Sequence, residues 1–77
     1  MNEKLQQVMA EVFEVNPTSI SELTTMENTE SWDSMSHLRL IGAIEEQFGV
    51  ALQEDDMLNM TSFSKINEII SARAGQA

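Results

Sequence analysis

The chain contains no cysteine, one proline, one histidine, one tryptophan and only four basic residues among 77. Without cysteine there is no disulfide, no thiolate nucleophile and no Cys-based zinc site. Four Lys and Arg against thirteen Asp and Glu leave a net charge of −9. That balance excludes nucleic-acid binding, because phosphate contacts require Lys and Arg; a protein partner should instead present a basic patch. No run is apolar enough to cross a membrane and the N-terminus has no signal-peptide core, so the expected location is the cytoplasm. Glu54-Asp55-Asp56 lacks the alternating ligands, central glycine and distal glutamate of a calcium loop. No specific metal site is therefore expected, only weak divalent association with an acidic surface around Glu45, Glu46, Glu54, Asp55 and Asp56. What the chain does have is 42% hydrophobic residues. That suffices for one small domain over residues 1–77 and is too little to enclose a deep catalytic cavity.

The apolar residues fall at helical spacing. Leu5, Val8, Met9, Val12 and Phe13 alternate with Glu3, Lys4, Gln7, Glu11 and Glu14, which predicts an amphipathic helix ending before Asn16-Pro17. Residues 18–31 are rich in Ser, Thr and Glu and read as a long surface loop pinned at Ile20, Leu23 and Met26. A second helix is predicted from Ser34 to about Phe48, stopped by Gly49. At ~100° per residue its core face is Leu38, Ile41, Ile44 and Phe48, widened by Leu40 and Ala43. Met35, Arg39, Gly42 and Glu46 form an opposite stripe suited to docking a partner. Glu54 to Met60 predicts a short helix with acids at its N-terminal end, where the dipole favours them. Thr61 or Ser62 caps a last helix carrying Phe63, Ile66, Ile69 and Ile70, and residues 72–77 are expected to fray. The fold class is thus all-α, a small monomeric bundle of three long helices and one short one with a long first loop.

Trp32-Asp33-Ser34-Met35 stands at the junction of the long loop and the second helix. Asp33 is a favoured N-cap. Ser34 is then the first helical residue, with its hydroxyl at the positive end of the helix dipole, where free backbone N–H groups stabilise an attached anion. A hydrolytic role is not supported: His37 lies on the same helix and no nucleophile elbow is present. The opposing reading is a helical protein-interaction module in which Ser34 is never modified and only begins the helix.

Order, spacing and acidity together resemble the acyl carrier protein family and the related peptidyl and aminoacyl carrier domains, over about Leu5 to Ile70. Asp33-Ser34-Met35, with Leu38, Leu40 and Ile41, matches the family's Asp-Ser-Leu attachment motif with Met in place of Leu. The resemblance implies a non-enzymatic carrier whose Ser34 receives 4'-phosphopantetheine from CoA by a separate phosphopantetheinyl transferase. The arm's thiol would hold acyl groups as thioesters for a loading ligase or transferase and for downstream acyl-processing enzymes. Glu45 and Glu46 match the family's acidic second helix, so the implied partner surface is Met35, Arg39, Gly42, Glu45 and Glu46.

Some residues depart from the pattern of fatty-acid carriers. Ser36 and Arg39 replace the usual acids two and five residues after the modified serine, and Trp32 and His37 are unusual there. These departures resemble specialised stand-alone carriers serving one lipid or secondary-metabolite pathway; an aminoacyl or peptidyl carrier is the alternative. His37, beside Ile41 and Phe48 on the helical wheel, is expected to pack rather than react. Trp32 reads as a lid on the bundle or as a partner anchor.

Overall fold

A computed structural model describes residues 2–74. Its elements are α1 (Glu3–Phe13), a single 3-10 turn (Pro17–Ser19), α2 (Ser34–Phe48), α3 (Glu54–Asn59) and α4 (Phe63–Ala74), with no β-strand among the described residues. The bundle is therefore all-helical, three long helices and one short. Local chemistry sets most of the boundaries. Asn2 caps α1 by accepting the Leu5 N–H at 3.1 Å. Ser62 accepts the Lys65 N–H at 3.2 Å at the start of α4. Gly49 ends α2 with φ +62, a left-handed conformation that glycine adopts without penalty. Glu14 closes α1 in the same region with φ 57, where a side chain is less at ease.

The core is built from Leu5, Met9 and Phe13 of α1, Leu40 and Ile44 of α2, and Phe63, Ile66 and Ile70 of α4. Val50, Leu52 and Met60 close it from the connections. On α2 the buried face is rotated from the expected one: Leu40 is 0% exposed and Leu38 is 70% exposed. Ile41 and Ile44 are buried as expected, and Ala43 and Phe48 are partly so. Leu38 lies about 60° beyond Ile41 on the wheel, at the edge of the arc, whereas Leu40 on the other flank turns into the core. Several neighbours share α2, and hydrophobic spacing alone does not say which flank is covered.

The long loop is pinned differently from expectation. Ile20 is buried and Met26 partly so, but Leu23 is 81% exposed and anchors nothing. Backbone and polar side chains take its place. The Met26 N–H donates to the Thr61 carbonyl and the Phe63 N–H to the Thr24 carbonyl, both at 2.9 Å, around an antiparallel bridge between Thr25 and Ser62. Asn28 clasps the turn, accepting the Thr25 N–H at 2.8 Å and donating to the Leu23 carbonyl at 2.9 Å.

Polar contacts also seat α3, a helix too short to stand alone. Asp56 accepts the Gln53 N–H at 2.8 Å and a two-point contact from the Arg73 guanidinium at 2.7 and 2.9 Å. This corrects the expectation that the chain frays from Ala72: α4 continues to Ala74, and Arg73 ties it to α3. Residues 75–77 of that expected tail lie outside the described residues. Of the acids expected around α3, Asp56 is committed to Arg73 and Glu45 to the Leu52 N–H at 3.0 Å.

The Arg73 guanidinium, and after it the Gln53 N–H, hold the Asp56 carboxyl below its ordinary range. A depressed carboxylate contributes stability that is complete above the unfolded value, about pH 4, and is lost as pH falls through the folded one. Asp56→Asn should therefore lower Tm by a few degrees at neutral pH. The gap to wild type should close as pH drops below about 4, read by thermal denaturation across a pH series.

Candidate functional site

Ser34 is the first residue of α2 and is exposed to solvent. Immediately before it, Asp33 is the N-cap in extended conformation (φ −102, ψ −173), with Oδ1 accepting the Ser36 N–H at 2.9 Å. The Asp33 carbonyl accepts the His37 N–H at 2.8 Å, closing the first helical turn. The Ser36 N–H, followed by the Ser36 hydroxyl, holds the Asp33 carboxyl below its usual range, so the cap stays ionised well into acid. No acidic side chain occupies the first turn of α2 itself. An anion on Ser34 Oγ would therefore meet the positive helix end. The geometry fits an esterified serine: an unobstructed hydroxyl, a pinned backbone and a favourable field.

His37 cannot serve Ser34 as a base. Its Nδ1 accepts the Trp32 indole N–H at 3.0 Å, and its Nε2 lies 2.9 Å from the Met57 carbonyl. Both ring nitrogens are occupied, and the ring is half-buried as expected of a packing residue. Trp32 resolves as a lid: it is 3% exposed, with its ring centroid 5.1 Å from that of Phe13. Around Ser34 the fixed features are the Asp33 cap and the buried Trp32 indole.

The stripe read from spacing is open to solvent. Met35 is 68% exposed, and Arg39, Gly42 and Glu46 are exposed as well. A side chain at Gly42 would meet nothing within 4 Å, so no packing inside the chain demands glycine there. Glu45 departs from the set: it is half-buried and spends its carboxylate on the Leu52 N–H, bracing the connection after Gly49. Leu38, assigned to the core by spacing, joins the open face beside Met35. Leu58 of α3 is likewise exposed. No spacing rule pointed to these two, because an exposed leucine and a core leucine carry the same periodic signal.

Comparison with known proteins bears on the same region. A family model described as the phosphopantetheine attachment site matches residues 3–70. In fold, the chain is similar to the solution NMR structure of a holo acyl carrier protein from Geobacter metallireducens, with a TM-score of 0.83 at 16% identity. That match covers 95% of this chain and 84% of the other.

Proposed function

Because the chain belongs to the phosphopantetheine attachment-site family, a family of covalent carriers rather than enzymes, we propose that Ser34 is its attachment residue. The observation that supports this most directly is an exposed serine hydroxyl opening α2 behind an ionised Asp33 cap. When bound, 4'-phosphopantetheine supplies a flexible arm whose thiol holds acyl groups as thioesters; the chain has no thiol of its own. Asp33 holds the first turn in register, and the N-terminal amides of α2 stabilise the charge of a phosphodiester on Ser34 Oγ. Met35 flanks the attachment point with an apolar surface. Incubation with CoA, magnesium and a broad-specificity phosphopantetheinyl transferase, followed by intact mass, tests the assignment. One added arm, mapped by peptide fragmentation to Ser34, is expected; an arm on another residue would refute it.

We further propose that the cargo is an acyl intermediate of a specialised lipid or secondary-metabolite pathway, loaded by a dedicated ligase or transferase. Arg39 supports this reading. It is exposed, one turn beyond Met35, and forms no ion pair in the described structure. A basic partner surface built for acidic carriers would meet like charge there, and such juxtaposition disfavours binding. Arg39→Glu should raise acyl transfer by general fatty-acid synthase enzymes by about tenfold, equivalent to ~1.4 kcal/mol, and weaken transfer by the dedicated enzyme. Steady-state kinetics with one enzyme of each kind reads both effects; unchanged rates would make Arg39 a solvated bystander. The mass of the thioester isolated from cells separates an acyl cargo from an aminoacyl one.

A further inference from the structure

Trp32 and His37 are the chain's single tryptophan and single histidine, and the fold joins them. With Asp33 as N-cap of α2, Trp32 occupies the position before the cap and His37 the fourth helical position. Apolar side chains at these two positions commonly clasp one another and fix the angle at which a chain begins a helix. Here the clasp is a hydrogen bond, with the ring planes 24° apart. An indole nitrogen only donates, so His37 Nδ1 must be the acceptor and the ring's single proton resides on Nε2. Nε2–H then donates to the Met57 carbonyl at 2.9 Å. Met57 lies in the last turn of α3, where carbonyls lack intrahelical partners. One neutral imidazole thereby ties the loop, the first turn of α2 and the last turn of α3 together.

We propose that His37 is a proton-sensitive positioning residue for Ser34: its neutral ring clamps Trp32, and a proton on Nδ1 releases that clamp. This inference rests on Ser34 as the attachment residue. Protonation sets two N–H donors against each other where one bond of 3.0 Å now stands. The indole N–H, on a buried residue, must then find a new acceptor or leave its seat. The bond to Met57 persists, since Nε2 keeps its proton, so only the side facing Trp32 is freed. Trp32 is two residues ahead of Ser34, and a shift of its backbone passes directly through the Asp33 cap.

The charged groups on the elements that His37 joins are exposed or engaged elsewhere. On α2, the Asp33 carboxylate is engaged with the Ser36 N–H and Arg39 is exposed. On α3, Glu54 and Asp55 are exposed and Asp56 is paired with Arg73 of α4. The loop brings Glu30, which is exposed, and α1 brings Phe13 behind the indole.

Two measurements test the proposal, and the first needs no arm. Across a pH series kept above acid unfolding, Trp32 fluorescence of the unmodified protein should show a single sigmoidal step in intensity and wavelength, absent in His37→Gln. A flat wild-type profile, or the same step in His37→Gln, overturns the clamp. The second follows kcat/KM for arm transfer to Ser34 across the same range for wild type, His37→Gln and Trp32→Phe, using one transferase so that its own pH dependence cancels in the ratios. Relative to both variants, wild type should fall roughly fivefold on the acid side, one hydrogen bond's worth. A pH-independent ratio overturns the positioning role. Trp32→Phe lacks the indole donor and keeps an aromatic in the core, so it decides the matter if His37→Gln fails to fold. If wild type accepts no arm at any pH, the Ser34 reading and the positioning role both fall, while the fluorescence step still judges the clamp.

Discussion

Ser34→Ala should remain folded and accept no arm at all. The serine side chain is exposed and makes no hydrogen bond or ion pair in the described structure, so its removal breaks no polar contact within the bundle. Asp33, through the Ser36 N–H, keeps the helix start intact without it. A surface substitution of this kind normally changes stability by less than about 0.5 kcal/mol, and Tm and the helical circular dichroism should match wild type. Modification, by contrast, should be all or none, because the proposed phosphodiester needs this oxygen. Ser36 makes a demanding control: it lies two residues away but is half-buried and its hydroxyl contributes to holding the Asp33 carboxylate. Ser36→Ala should still gain one arm by intact mass. An arm found on the Ser34→Ala protein would remove the serine from the role proposed for it, whatever the family.

The features that were legible in the chain are those fixed by a residue's immediate neighbours. Asp33 and Gly49 bracket α2 at Ser34 and Phe48 as their capping chemistry requires. Asn16-Pro17 confines α1 in the same way. The exposed stripe of Met35, Arg39, Gly42 and Glu46 followed from helical spacing because charge and glycine on one face mark it clearly. Contacts between distant segments were not legible. Nothing local to Arg73 announces Asp56 seventeen residues earlier, so a helical end looked like a loose tail. Glu45 carries the same charge as Glu46, yet the turn at Gly49 brings the Leu52 N–H to one and leaves the other in solvent. The pairing of Trp32 with His37 sits between these cases. The two positions are adjacent across a helix start, where side chains commonly clasp one another, but helical spacing sets His37 beside Ile41 and Phe48 instead. Their second link, to Met57, depends on how α3 packs.

The rotated face of α2 carries the largest stability effect. Leu40 is completely buried among the residues of the core, whereas Leu38 stands in solvent. Truncating a buried leucine loses the transfer energy of its methyl groups and leaves a cavity that the surrounding side chains only partly refill, typically 2–5 kcal/mol in all. At about 0.05–0.15 kcal/mol of net stability per residue, a domain of 77 residues holds about 4–12 kcal/mol. Leu40→Ala should therefore lower Tm by about 12–24 °C, taking ~3 kcal/mol and 4–8 °C for each, and should leave a measurable unfolded fraction near 37 °C. Leu38→Ala removes the same atoms from the outside of the helix and should shift stability by less than about 0.5 kcal/mol. Parallel denaturant titrations of the two variants separate the possibilities. If the Leu38 variant is the damaged one and the Leu40 variant is not, α2 packs with the face that spacing alone suggested. Equal losses would mean that both leucines are covered. A silent Leu38 and a costly Leu40 leave Leu38 free to work outward beside Met35, on the face proposed to dock partners.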